Sequence, residues 1–459
     1  MTTRALPGLR LAGLFNMGML YAGKTSGMLV AFIFLPLYSR LLGAEQFGVV
    51  AVILSMQALL VMLDLGMSTL VSRDCALADT APATLLTLVR CAERALTGFY
   101  LLLLAGVVLA KLGGALPALE PLAALGAVIL FWLLVLQNLY YSGMLARRAY
   151  STASILQVVG VALRAAATAF VLTRVAATLT AFVLTQLAFS ALHLSATRIC
   201  FRRVLSGNNN PPIAIGQPSP GQIWALIKRG RSLALFALAG AAVLQLDKPI
   251  VSAFMSPASV APYFLAMTVC MVPMSVLAGP VAQFFQPMLL NAVARAEQAP
   301  ARRAIKLFAA VLLGVTLLPS LAFWLLRAPL IELWTSGHAG NAVIAHYVGI
   351  LLPGLTIGAL GFIPYTLLIS VNDFKFQASL SMALTLATLG AAAACAARQH
   401  IDGICYVYAA YHSASTLLSW LRAIFLSSTR DLAKISFSIT IACLLVLALA
   451  AVSLRHAFQ

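Results

Sequence analysis

Apolar stretches of twenty or more residues follow one another along almost the whole chain, separated by short clusters of arginine, lysine, proline and glycine. A bilayer core about 30 Å thick is crossed by around 20 helical residues, so each stretch is long enough to span a membrane. The runs are continuously apolar and do not alternate over about ten residues, which predicts helices and not barrel strands. Spans are expected near residues 12–38, 46–71, 88–112, 119–144, 152–173 and 175–197, then 232–255, 260–288, 304–326, 343–370, 377–397, 402–426 and 435–454. The basic start with Arg4 and Arg10 precedes an apolar stretch without a small-residue cleavage site, so it reads as a retained first span.

One connection is markedly polar: Arg198 to Arg231 contains Asn208-Asn209-Asn210-Pro211-Pro212 and Gln217-Pro218-Ser219-Pro220-Gly221, which is turn and linker chemistry. It divides the chain into a six-helix bundle (1–198), a cytoplasmic linker loop (199–231), a second six-helix bundle (232–426) and an extra C-terminal helix (427–459). The fold class is therefore an all-α integral membrane protein, two pseudo-symmetric six-helix bundles plus one appended helix, with 12–13 spans. A slide of 213 residues lays Pro36-Leu37-Tyr38-Ser39 on Pro249-Ile250-Val251-Ser252 and the turn at 43–48 on 256–261. A slide of 225 brings Tyr140 onto Tyr365 and Ser154 onto Ser379. Copies separated by six spans run in the same direction, the parallel-repeat layout of transporters; chance matching in so apolar a sequence is the competing explanation.

Composition agrees with the pattern, since 62% of residues are hydrophobic and 9% charged, against roughly 45–50% and 25% in a soluble domain. The 30 basic and 12 acidic residues leave a net charge of +18, which in a soluble protein would suggest nucleic acid. With a cytoplasmic N-terminus, however, most basic residues, among them Arg90, Arg94, Arg147, Arg148, Arg202 and Arg203, fall in cytoplasmic connections. The other side holds Arg40, Lys111, Arg174, Arg327, Arg398 and Arg455. That is the asymmetry of the positive-inside rule, and no nucleic-acid partner is expected. The seven cysteines form no C-x-x-C pair and read as small core hydrophobes.

Lys24, Asp64, Arg164, Asp247 and Lys248 lie inside spans. A charge at a helix centre costs roughly 2.5–3.5 kcal/mol, so such residues face a protein interior or a wet cavity. At about 1.5 Å per residue, Lys24, Arg164 and Asp247-Lys248 fall roughly 18–24 Å in, near the midplane. Two readings follow: the three cations line one substrate-facing lumen, with Asp64 and Asp247 serving ion coupling, or the pairs Lys24–Asp64 and Arg164–Asp247 hold helices together. Pro249 should kink or open the seventh helix by removing a backbone donor.

Gly18 to Thr25 fits G-x-x-x-x-G-K-[ST], but it lies within a span with no strand before it, so nucleotide hydrolysis is set aside. The six histidines make no H-E-x-x-H, and His412 reads as packed. No nucleophile elbow or paired carboxylates appear, so neither catalysis nor a metal or other cofactor is expected.

The segment Leu35-Pro36-Leu37-Tyr38-Ser39-Arg40-Leu41-Leu42-Gly43-Ala44-Glu45-Gln46-Phe47-Gly48, followed by Asp64-Leu65-Gly66, resembles the start of the Wzx-type polysaccharide-biosynthesis flippases. Gln245-Leu246-Asp247-Lys248-Pro249-Ile250-Val251-Ser252 and Ala261-Pro262-Tyr263 are similar to that family's pattern after its central loop. Drug exporters of the same superfamily share the layout. The resemblance implies two bundles around a cationic cavity in the bacterial inner membrane, carrying undecaprenyl-pyrophosphate-linked repeat units to the periplasmic leaflet. It makes Lys24, Arg164 and Lys248 the lumen cations, and it implies a polymerase and other polysaccharide-assembly proteins as partners. The proline after Lys248 and the span at 435–454 depart from the family's pattern.

Overall fold

A computed structural model describes residues 11–62, 64–76, 81–114, 120–206, 217–337 and 340–457. Every element among them is helical. In chain order these are α1 (Leu11–Met62), α2 (Met67–Ala76), α3 (Pro82–Leu112), α4 (Pro121–Ala146), α5 (Tyr150–Arg174), α6 (Leu179–Ser206), α7 (Pro220–Gln245), α8 (Asp247–Phe254) and α9 (Pro257–Cys270). After a wide π-type turn at Pro273–Ala278 come α10 (Gly279–Ala294), α11 (Gln298–Leu325), α12 (Arg327–Thr335), α13 (Asn341–Leu360), α14 (Phe362–Ser370), α15 (Phe374–Ala397), α16 (Ile401–Phe425) and α17 (Arg430–Ala457).

Nine helical stretches among the described residues are long and apolar enough to cross a membrane. One of them, Thr25–Val61, bends at Gly43, whose φ of 73° is open to glycine without a side-chain clash. The bend divides α1 into two arms, and these are the first two predicted spans. Long helices α7, α16 and α17 stand where the remaining predicted spans fall. The protein is thus an all-α, multi-pass membrane protein. The segment Gly18 to Thr25 is continuous helix, so its backbone amides are engaged along α1 and do not form a phosphate-cradling loop.

The chain forms two compact units, Met1–Ser252 with Ser256–Ala261, and Ala253–Met255 with Pro262–Gln459. In the first unit α1 packs along α5, α4 along α6, and α2 along α4. The predicted span at 46–71 is interrupted there: Asp64 Oδ1 accepts from the Gly66 amide at 2.9 Å and Oδ2 from the Ser68 amide at 2.8 Å, starting α2 in a new direction. The polar connection is shorter than its sequence suggests, because α6 runs to Ser206 and a Ser219–Gln222 capping box starts α7 at Pro220. From there α7 packs on α1 and α3 of the first unit. Gly230 permits this approach, since a Cβ there would stand 2.2 Å from the Leu65 carbonyl oxygen.

The second unit is sealed by aliphatic and aromatic side chains. Phe285, Leu289, Phe308, Leu312, Ile363 and Trp420 form its centre, with Phe285 stacked on Phe308 at 5.5 Å between ring centroids. Helix α13 lies against α16 along Gly354, Gly358 and Gly361, where added Cβ atoms would meet Ala409, His412 and Thr416 within 3 Å. Small residues at this spacing let membrane helices meet backbone to backbone, where lipid supplies no hydrophobic drive.

Candidate functional site

The polar residues of the first unit's spans converge on one cavity of about 490 Å³, reached by side chains from α1, α4, α5 and α6. Apolar helices would not gather carboxamides by packing alone, because a buried amide must find a hydrogen-bond partner. Here a chain of them does. Gln137 Nε2 donates to Gln157 Oε1 at 3.1 Å and lies 3.3 Å from His193 Nε2. Gln186 Nε2 donates to Thr168 Oγ1 at 3.1 Å. Asn138 Nδ2 donates to Ser68 Oγ at 3.2 Å. Gln57 lines the same space from α1. Two polar atoms at the cavity, Gln137 Oε1 and the Tyr141 hydroxyl, are buried without a hydrogen-bond partner among the described residues.

Arg164 reaches this cavity from the middle of α5, and its Nη1 donates to Ser190 Oγ at 3.0 Å. At the next residue, the Tyr38 hydroxyl donates to the Ala165 carbonyl at 2.8 Å, and the Tyr38 ring meets Phe182 edge-on at 5.5 Å. The described lining contains this guanidinium and no carboxylate. Gly23 also lines it, on the turn of α1 that carries Lys24, but the Lys24 side chain lies outside the described residues.

Lys248 is absent from the cavity lining. Helix α7 stops at Gln245, the chain bends at Leu246, and α8 begins with Asp247, so the break falls ahead of Pro249, which sits in the first turn of α8 where a missing N–H is tolerated. Lys248 Nζ stands 2.9 Å from Asp247 Oδ1 and donates to the Leu244 carbonyl at 3.2 Å, with both side chains buried. Asp247 therefore meets its own neighbour, and Asp64 meets backbone amides. The pairing Lys24–Asp64 falls on a side chain outside the described residues, and Arg164–Asp247 is not among the ion pairs of the described residues. His412 is buried behind Gly358, as a packed histidine.

Two further polar features carry no intramembrane-charge signal in the sequence. The carboxamides are uncharged and lie on four different helices. Glu93, Tyr140 and Arg198 form a second polar group: Glu93 accepts from Tyr140, and Arg198 bonds Glu93 at 2.6 Å and the Tyr140 oxygen at 2.9 Å. A related tie occurs in the second unit, where Arg422 Nε bonds Asp373 Oδ2 at 2.7 Å and its guanidinium lies 5.2 Å over Phe376. Glu93 and Arg198 stand 105 residues apart in the chain, so no sequence spacing links them. Among the described residues no group of three or more His, Cys, Asp or Glu is placed to hold a metal.

The chain shares its fold with solved transporters. An inward-facing multidrug resistance MATE family transporter of the MOP superfamily superposes with a TM-score of 0.69 at 14% identity, covering 90% of this chain and 96% of that one. An outward-facing multidrug resistance MATE family transporter of the MOP superfamily gives 0.59 at 16% identity, over 89% and 94%. The Vibrio cholerae MATE transporter VcmN gives 0.57 at 15% identity, over 90% and 96%. No curated protein matches the chain. Residues 14–292 match the family described as polysaccharide biosynthesis protein, and this match, over more than half of the sequence, makes the chain a member of that family.

Proposed function

We propose that the protein is a flippase that moves undecaprenyl-pyrophosphate-linked oligosaccharide repeat units across the bacterial inner membrane by alternating access, for O-antigen, capsule or exopolysaccharide synthesis. The observation that carries this reading is the cavity of a polysaccharide biosynthesis protein lined by carboxamides, tyrosines and Arg164 without a described carboxylate. Sugars offer hydroxyls that both donate and accept, as carboxamides do. A pyrophosphate is stabilised by buried cations in a low-dielectric site, and a guanidinium can bind it through two parallel hydrogen bonds. In this reading Lys24, Arg164 and Lys248 form the cationic lumen, the N-terminus is cytoplasmic, and Lys248 exchanges Asp247 for the anionic cargo during the cycle. Asp247 and Asp64 are then the acidic groups available for coupling to an ion gradient.

The solved neighbours named for multidrug resistance make an ion-coupled drug exporter the second reading. A cationic drug would meet Arg164 with the wrong sign of charge, which favours the first. Deletion of the gene decides between them: loss of surface polymer with lipid-linked repeat units accumulating on the cytoplasmic side is expected. Intact polymer with heightened drug sensitivity would replace the flippase with the exporter.

A further inference from the structure

We infer that the cavity inside the first unit is a saccharide subsite that reads uncharged sugar hydroxyls through its carboxamides, separately from the recognition of the pyrophosphate. This rests on the flippase reading and assigns the division of labour within it. The lining presents Gln57, Gln137, Asn138, Gln157 and Gln186 against a single described cation, so hydrogen-bonding groups outnumber charge. Arg164 is already tethered to Ser190. Gln137 is held by Gln157 and by His193, which fixes its orientation before a ligand arrives. The acceptor Gln137 Oε1 and the Tyr141 hydroxyl are left without partners, and these are the groups a sugar hydroxyl would satisfy. Phe34, part-buried at the lining, adds a ring against which the C–H face of a pyranose can lie. A volume of about 490 Å³ falls within the range of small-ligand sites and is too small for a complete lipid-linked unit.

The test uses the full-length protein in lipid nanodiscs and saturation-transfer NMR, with glucose, N-acetylglucosamine, glucuronate and inorganic pyrophosphate as probes. The neutral sugars are expected to receive saturation, and pyrophosphate is expected not to displace them. Gln137→Leu and Gln157→Leu should each weaken the neutral-sugar signal about tenfold, the scale of one lost hydrogen bond to a buried polar group. Gln57→Leu lies outside the Gln137–Gln157–His193 chain and provides a variant that tests the lining without disturbing that network. Absence of transfer to either neutral sugar, equal transfer to all three variants, or displacement by pyrophosphate would overturn the subsite. Restoration of surface polymer by the same protein in a deletion strain is scored separately. Restored polymer with no sugar signal removes the subsite alone, whereas polymer that never depends on the gene removes the flippase reading.

Discussion

In the first unit, the facing sides of α4, α5 and α6 bring Gln137, Gln157 and Gln186 around an open volume. In the second, α10, α11, α14 and α16 fill the corresponding interior with Phe285, Phe308, Ile363 and Trp420. Both interiors belong to helices that gain little from hiding apolar surface, because lipid is as apolar as leucine. The second unit answers by close contact, through ring stacking and a glycine seam. The first answers with hydrogen bonds and leaves some of them unfilled. A packed interior stabilises a bundle without binding anything, whereas an interior with vacant donors and acceptors is less complete on its own and selects what completes it.

This contrast can be broken most forcefully at the buried ion pair of Asp247 and Lys248. Asp247→Asn leaves Lys248 charged without its carboxylate and should destabilise the first unit by about 3–5 kcal/mol, read as a fall in melting temperature in detergent. The double variant Asp247→Asn with Lys248→Met should recover most of that loss; failure to recover would mean Asp247 has a structural role beyond Lys248. Phe308→Ala in the second unit should cost about 3 kcal/mol or somewhat more, by opening a cavity beside Phe285. If surface polymer fell in that variant at matched membrane levels and at a temperature well below its melting point, the second interior would not be merely structural. Gly354→Leu forces a side chain into Ala409 and should cost about 1–3 kcal/mol, again seen in melting. The smallest effect is expected for Arg422→Met, whose pair with Asp373 is partly exposed and is worth about 0.2–1 kcal/mol.

Much of the helix layout is legible in the sequence because a span is a length of apolar residues and nothing more. The turn at Gly43 and the interruption at Asp64-Leu65-Gly66 differ in this respect. Gly43 carries the ordinary signal of a glycine between two runs, while Asp64 reads as an intramembrane charge until its carboxylate is seen to accept two backbone amides. Lys248 likewise shows its partners only in the fold, where it meets Asp247 and the Leu244 carbonyl. Arg164 is singled out in the sequence by its cost in lipid, and in the fold it lines the cavity. Its neighbours Gln137, Gln157 and Gln186 are invisible to a search for charge, although a carboxamide in mid-span also requires a partner. Their common feature is depth on separate helices, and depth is visible only after the helices are assembled.

Gly48 carries a constraint of another kind. A single methyl group at this position would stand 1.7 Å from the carbonyl oxygen of Pro257, well inside the contact of any two atoms, and backbone cannot step aside as a side chain can. The two turns that a slide of 213 residues superimposes in sequence are thus in direct contact in space. A randomised library spanning residues 44–52, selected only for surface polymer, should return many letters at the lipid-facing positions and glycine alone at 48.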